Sequence, residues 1–151
     1  MKRSIPMLGC LLAASATLAV PGAHSASAHT TQSAIRPSVD LLGDWHGNGD
    51  GIVRLVIRRL RPGWVSLSAY GACQPRLCKW RLVGARLFAD NAGSSEGTGL
   101  IATYDQGFDV VTLTAHLARD LAETLRVETY TRFTDGSGRS DYWALVRLRR
   151  Y

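Results

Sequence analysis

From residue 40 onward, apolar side chains recur at every second position in short runs, and each run ends in Gly, Asn, Asp, Ser or Pro. A period of two is that of a strand with one buried face, and the punctuating residues are those that turns require. The pattern predicts a first strand at Leu42-Gly43-Asp44-Trp45 and a hairpin turn at Asn48-Gly49-Asp50-Gly51. A second strand covers residues 52–60, where Val53, Leu55 and Ile57 alternate with Arg54, Val56 and Arg58. After Arg61-Pro62-Gly63, a third covers residues 64–70, with Val65, Leu67 and Ala69 opposed to Trp64, Ser66, Ser68 and Tyr70. A fourth runs from Trp80 to Phe88, with a bend expected at Gly84. A fifth spans Thr98 to Tyr104, a sixth residues 108–115, a seventh Leu125 to Phe133 and an eighth Asp141 to Arg149. Between the sixth and seventh, His116–Thr124 is rich in helix formers, and Leu117, Leu121 and Leu125 recur every four residues. Strands on both sides favour a connection there with at most a helical turn.

Eight strands joined in series by short turns predict an all-β single domain folded as an antiparallel up-and-down barrel. Closure removes the two exposed edges that an open sheet would present. A two-sheet β-sandwich is the alternative. The expected core is Val53, Leu55, Ile57, Val65, Leu67, Val127 and Val146.

The N-terminal residues follow a different pattern. Lys2 and Arg3 precede an apolar run that ends at Pro21-Gly22, and small residues lead to Ala26-Ser27-Ala28. This is the layout of a signal peptide over residues 1–28, cleaved near Ala28, and it predicts a secreted or periplasmic protein. The apolar run is shorter than the ~20 residues of a membrane-spanning helix. Lipidation at Cys10 is the competing reading of this segment. Residues 29–39 are small and polar and read as a flexible lead-in, which leaves 40–151 as the barrel-like domain.

Loss of the leader removes two basic and no acidic residues, lowering the net charge from +6 to +4. The remaining cations are Arg, apart from Lys79, and they are interleaved with acidic residues. That distribution describes a solvated basic face and gives no reason to expect nucleic acid. The mature chain keeps Cys73 and Cys78, in Cys-Gln-Pro-Arg-Leu-Cys. In an oxidising compartment such a pair reads as a disulfide. Closing so short a loop stabilises by about 2 kcal/mol, so the bond pins a local loop.

Candidate chemistry is sparse. There is no G-x-S-x-G elbow, H-E-x-x-H motif or Gly-rich phosphate loop, so no enzyme class is indicated and no cofactor is expected. Asp44, His46, Asn48 and Asp50 resemble the start of a calcium loop, but the twelfth position is Leu55 and no metal site follows. The tryptophans Trp45, Trp64, Trp80 and Trp143 carry more weight: each either plugs the barrel or belongs to a binding surface. Tyr70, Arg76, Lys79 and Trp80, which flank or sit in the Cys73–Cys78 loop, form the candidate contact surface.

Gly43-Asp44-Trp45 on the first strand, with Arg147 or Arg149 on the last, resembles the lipocalin and avidin pattern, in which a Trp on strand one packs against a late Arg. That resemblance implies an eight-stranded barrel with a small ligand in its lumen. More broadly, Gly43-x-Trp45, Gly51-Ile52-x-Arg54, Gly71-x-Cys73-x-Pro75-x-x-Cys78-x-Trp80 and Phe133-Thr134-Asp135-Gly136-Ser137-Gly138-Arg139 are similar to a family of small exported bacterial domains with no established activity. The leading expectation is a non-catalytic binding or structural domain whose partner is an extracellular or envelope protein, a polymer or a small apolar ligand. One alternative is a carrier whose inner wall includes Ala69, Ala102, Thr112, Thr129 and Ala144. Another is a secreted inhibitor of an enzyme such as a protease.

Overall fold

A computed structural model of the chain describes residues 35–119 and 123–151. The expected signal peptide, Cys10 and the first part of the lead-in lie outside the described residues, as do residues 120–122 of the connection before the seventh predicted strand.

Ten strands are present: β1 (Arg36–Pro37), β2 (Gly43–His46), β3 (Ile52–Arg61), β4 (Trp64–Gly71), β5 (Cys78–Lys79), β6 (Val83–Ala89), β7 (Glu96–Asp105), β8 (Asp109–Leu117), β9 (Thr124–Phe133) and β10 (Tyr142–Arg150). No helix occurs among the described residues. Eight of the strands pair antiparallel in the order β2-β3-β4-β6-β7-β8-β9-β10, and β10 returns to β2 to close the barrel. Each barrel strand is hydrogen-bonded to its neighbour in sequence, the up-and-down topology that the turn spacing predicts. The barrel form, rather than the sandwich, follows from the pairings of β7 with β8 and of β2 with β10.

Alternation decides what is inside. Val65, Leu67 and Ala69 of β4, Ala85 and Leu87 of β6, Leu100, Ala102 and Tyr104 of β7, and Val111, Leu113 and Ala115 of β8 all point into a common core. Of the expected core residues, Leu55, Ile57, Val65, Leu67 and Val127 are fully buried, and Val146 packs partly buried against them. Val53 is half-buried. The β3–β4 ladder is irregular between Ile52 and Arg54, and this extra residue turns Ile52 inward in place of Val53.

Two boundaries differ from the sequence pattern. Arg36 and Pro37, within the expected lead-in, pair in parallel with Glu96 and Gly97 at the start of β7. Ile35 packs on the core, and Ser38 N donates to Gly97 O at 2.9 Å, so apolar contact and backbone pairing together fix this stretch. The fourth predicted strand begins later, at Val83. Its first residues follow β5, which pairs Lys79 with Tyr70 and Cys78 with Gly71, and Trp80 N then donates to Ala69 O at 2.9 Å. Gly84 pairs regularly with Ser66, and the irregularity in β6 falls instead at Phe88/Ala89.

One end of the barrel, the lower end, is sealed. Leu41 and Trp45 are wholly buried, and Trp45 Nε1 donates to Leu41 O at 3.1 Å. The Arg150 guanidinium lies 4.9 Å from the Trp45 ring centroid and donates to Leu42 O at 3.0 Å and to Asp40 O. The arginine of the Trp–Arg contact is therefore Arg150, in place of Arg147 or Arg149. On β10, Arg150 shares the parity of inward-facing Leu148, whereas Arg147 and Arg149 share the outward parity.

On the outer face of β2 and β3, Asp44 takes both Arg54 Nε (2.8 Å) and Arg54 Nη2, and His46 Nε2 lies 2.9 Å from its Oδ1. The hydrogen bond and charge of Arg54 hold the Asp44 carboxyl below its ordinary 3.8. A depressed carboxylate contributes stability that is complete above its unfolded value and is lost as pH falls through the folded one. Asp44→Asn should therefore cost about 1 kcal/mol at pH 7. Urea titrations should show that difference shrinking below pH 4; a difference unchanged at pH 3 would refute the assignment.

Candidate functional site: the open mouth of the barrel

The other end, the upper end, carries the β2–β3 loop, the disulfide-bearing connection from β4 to β6, the β7–β8 turn and the β9–β10 hairpin. Here the lumen is not filled. A cup of about 320 Å³ opens among Ile52, the Gly71–Cys73 backbone, Cys78 and Trp80 on one side, and Phe108, Asp109, Thr129, Thr131, Ala144 and Val146 on the other. The cup lies where the closing seam is short. The β2–β10 ladder consists of His46 opposite Arg149 and Trp45 opposite Arg150, while β10 extends up to Tyr142. Ile52 and Val146 both line the cup beside this short seam. The volume is at the small end of ligand sites, which run from about 300 to 1,000 Å³.

The floor and one wall come from the disulfide connection. Cys73 and Cys78 are bonded, with Cα atoms 5.5 Å apart. β5 then directs Trp80 inward, where its ring meets fully buried Tyr104 edge-on at 5.0 Å between centroids. Beneath, the lumen is solid with Tyr104, Leu55, Leu67 and Leu113.

The opposite rim is built by the Phe133–Arg139 segment. Gly136 and Gly138 adopt positive φ (69° and 72°), which glycine tolerates best. Asp135 Oδ1 accepts from Ser137 N at 3.1 Å, and Arg139 donates to Ser137 Oγ at 2.8 Å and to Asp135 Oδ2 at 2.6 Å. The Ser137 hydrogen bonds, with Arg139 adding to them, pull the Asp135 carboxyl down to about 2. The Arg139 guanidinium also lies 3.9 Å from the Phe133 ring centroid and 5.7 Å from that of Phe108. Thr134 N donates to Phe108 O at 3.0 Å, tying the hairpin to the β7–β8 turn. The motif thus folds into a fixed rim.

Asp109 is the chemically distinctive residue of the cup. It opens β8 at the inward parity of Val111 and Leu113, and it is only 6 % exposed. Its Oδ1 has no hydrogen-bond partner among the described residues. Burial raises its pKa above 3.8, opposed by the charge of Arg139 and the Gln106 side chain, while Asp135 and Asp105 add to the rise. Thr129 and Thr131, also buried, supply hydroxyls nearby on β9.

Of the residues expected to form a contact surface, Tyr70 and Lys79 are cross-strand partners. Trp80 lines the cup, whereas Arg76 and Lys79 are exposed, and Tyr70 stands on the outward parity of β4 with Arg54 5.0 Å over its ring. Of the expected carrier wall, Thr129 and Ala144 line the cup, and Ala69 and Ala102 are buried in the core below it. Thr112 points outward, because its neighbours Val111 and Leu113 occupy the inward parity of β8. Outside the barrel, Trp143 (64 % exposed) pairs across strands with Tyr130 (48 %). No group of three or more His, Cys, Asp or Glu among the described residues could hold a metal ion. No helix among them is long and apolar enough to cross a membrane.

Comparison of the chain with protein-family models, with curated proteins and with solved structures finds no match in any of the three.

Proposed function

We propose that the protein is a non-catalytic, exported small-molecule binding protein that holds its ligand in the upper mouth of the barrel. The observation that carries this reading is the combination, in one cup, of an apolar wall, a crosslinked rim and a few buried polar groups. Ligand sites are concave and mostly apolar, with a small number of placed polar atoms. The crosslink at one rim and the hydrogen-bonded hairpin at the other keep the mouth open in the absence of ligand, which reduces the ordering cost of binding. Export is supported by the leader-like pattern of residues 1–28 and by the disulfide, which suits an oxidising compartment. The carrier role also suits the lipocalin-like resemblance.

The test is a fragment titration followed by methyl and amide NMR. Bound fragments should shift Ile52, Thr129, Ala144 and Val146 together. Ala144→Phe, which places a ring in the cup, should abolish those shifts while the domain keeps its cooperative unfolding. Shifts that map elsewhere, or that persist in Ala144→Phe, would overturn the reading.

A further inference from the structure

Resting on that reading, we infer that the ligand is a small organic cation: a protonated amine or amidine on a compact apolar body, with its N–H groups on Asp109. Four observations lead there. Asp109 is more than nine-tenths buried, yet Oδ1 is without a hydrogen-bond partner among the described residues, and the residue lines the cavity at the inward parity of β8. Buried carboxylate oxygens are almost always paired, because an unpaired one forfeits its hydration with no return.

The cation already nearby is committed elsewhere. Arg139 is bonded to Asp135 and Ser137 and stacked on Phe133, so it acts on Asp109 through its field only. The acidic neighbours Asp105 and Asp135 make the local potential more negative still. Finally, the surrounding wall is of the right kind for the body of such a molecule. Ile52, Val146 and Ala144 give aliphatic contact, and Trp80 and Phe108 give ring edges or faces against which a cation is attracted.

Titration follows from the same geometry. The charged and titratable groups facing Asp109 are Asp105 at the end of β7 and Asp135 and Arg139 in the β9–β10 hairpin. Burial raises the Asp109 pKa, so its charge, and amine binding with it, is lost as pH falls through that raised value. An alcohol of the same shape carries no charge to lose and should bind independently of pH over that range.

Phenethylamine and 2-phenylethanol, which differ in the ammonium group, are the probes. In full-length mature protein, NMR titration at pH 7 should place both in the cup, with the amine bound at least about tenfold more tightly, as a charge-assisted hydrogen bond requires. Asp109→Asn should bring the two affinities together, the amine losing at least about tenfold. The same variant should melt about 4 °C higher without ligand, since it removes a buried charge whose Oδ1 has no hydrogen-bond partner among the described residues. Equal affinities in the wild type, with both probes in the cup, would overturn the cation inference and leave the binding site standing. A tenfold preference that survives in Asp109→Asn would also overturn it. If neither probe shifts the cup, both this inference and the proposed function fall.

Discussion

Trp45→Ala should cost about 3–5 kcal/mol and leave the domain barely folded at 37 °C. Trp45 is the largest wholly buried side chain, and it seals the lower end in three ways. Its ring fills the core together with Leu55, its cross-strand partner, and Ile57. Its Nε1 gives Leu41 O a partner that nothing apolar could replace, and its face carries Arg150, which in turn binds Leu42 O and Asp40 O. Removing the ring leaves a cavity, an unpaired carbonyl and an arginine without its platform. Residues 35–42 should then lose hydrogen-exchange protection before the barrel does. Trp45→Phe keeps most of the volume and loses the indole N–H, so it should cost about half as much. Urea unfolding of the three proteins checks this. A loss under 1 kcal/mol for Trp45→Ala would mean that the lower end is held by other contacts.

The sequence pattern shows the wall of this barrel far better than its contents. A barrel strand has one face in the core and one in solvent, so the period of two in β4, β7, β8 and β9 is printed directly in the residue order. Turn chemistry at Asn48–Gly51, Pro62-Gly63 and Thr134–Gly138 then places the strand ends within a residue or two. Where the pattern misleads, a tertiary contact is responsible. Val53 alternates correctly with its neighbours, but a bulge places Ile52 inside. Residues 36–37 look like a tail because their ordering comes from β7, remote in sequence.

The candidate site was legible only in part. The disulfide, Trp80, Thr129 and Ala144 are visible as residues, but the convergence of Trp80 with the far wall depends on how β5 turns the connection inward. Asp109 falls inside the sixth predicted strand, residues 108–115, where nothing in the residue order beyond parity singles it out. The available signal was its parity: stepping back by two from Leu113 and Val111 reaches an aspartate on the buried side.

Tyr104 joins the core to the cup, and Tyr104→Ala should cost about 3–5 kcal/mol. The ring is fully buried and supports Trp80, which lines the cup, edge-on. Its removal should also let the indole sink, deepening the cup and weakening small fragments more than large ones. Tyr104→Phe separates the ring from the hydroxyl. The phenol's contact with Leu67 O is long, at 3.4 Å, and that carbonyl belongs to a β-strand, so the loss at pH 7 should stay under about 1 kcal/mol. The two variants diverge at high pH. Burial pushes the Tyr104 pKa well above its ordinary 10.0, so the folded protein keeps the phenol neutral while the unfolded chain ionises it. The stabilisation this group contributes is complete below pH 10 and declines as pH rises beyond it. Tyr104→Phe removes that decline and leaves the exposed Tyr130 unchanged as an internal control. Between pH 9 and 11.5, wild-type stability should therefore fall more steeply than that of Tyr104→Phe. Parallel curves would show that the hydroxyl reaches solvent.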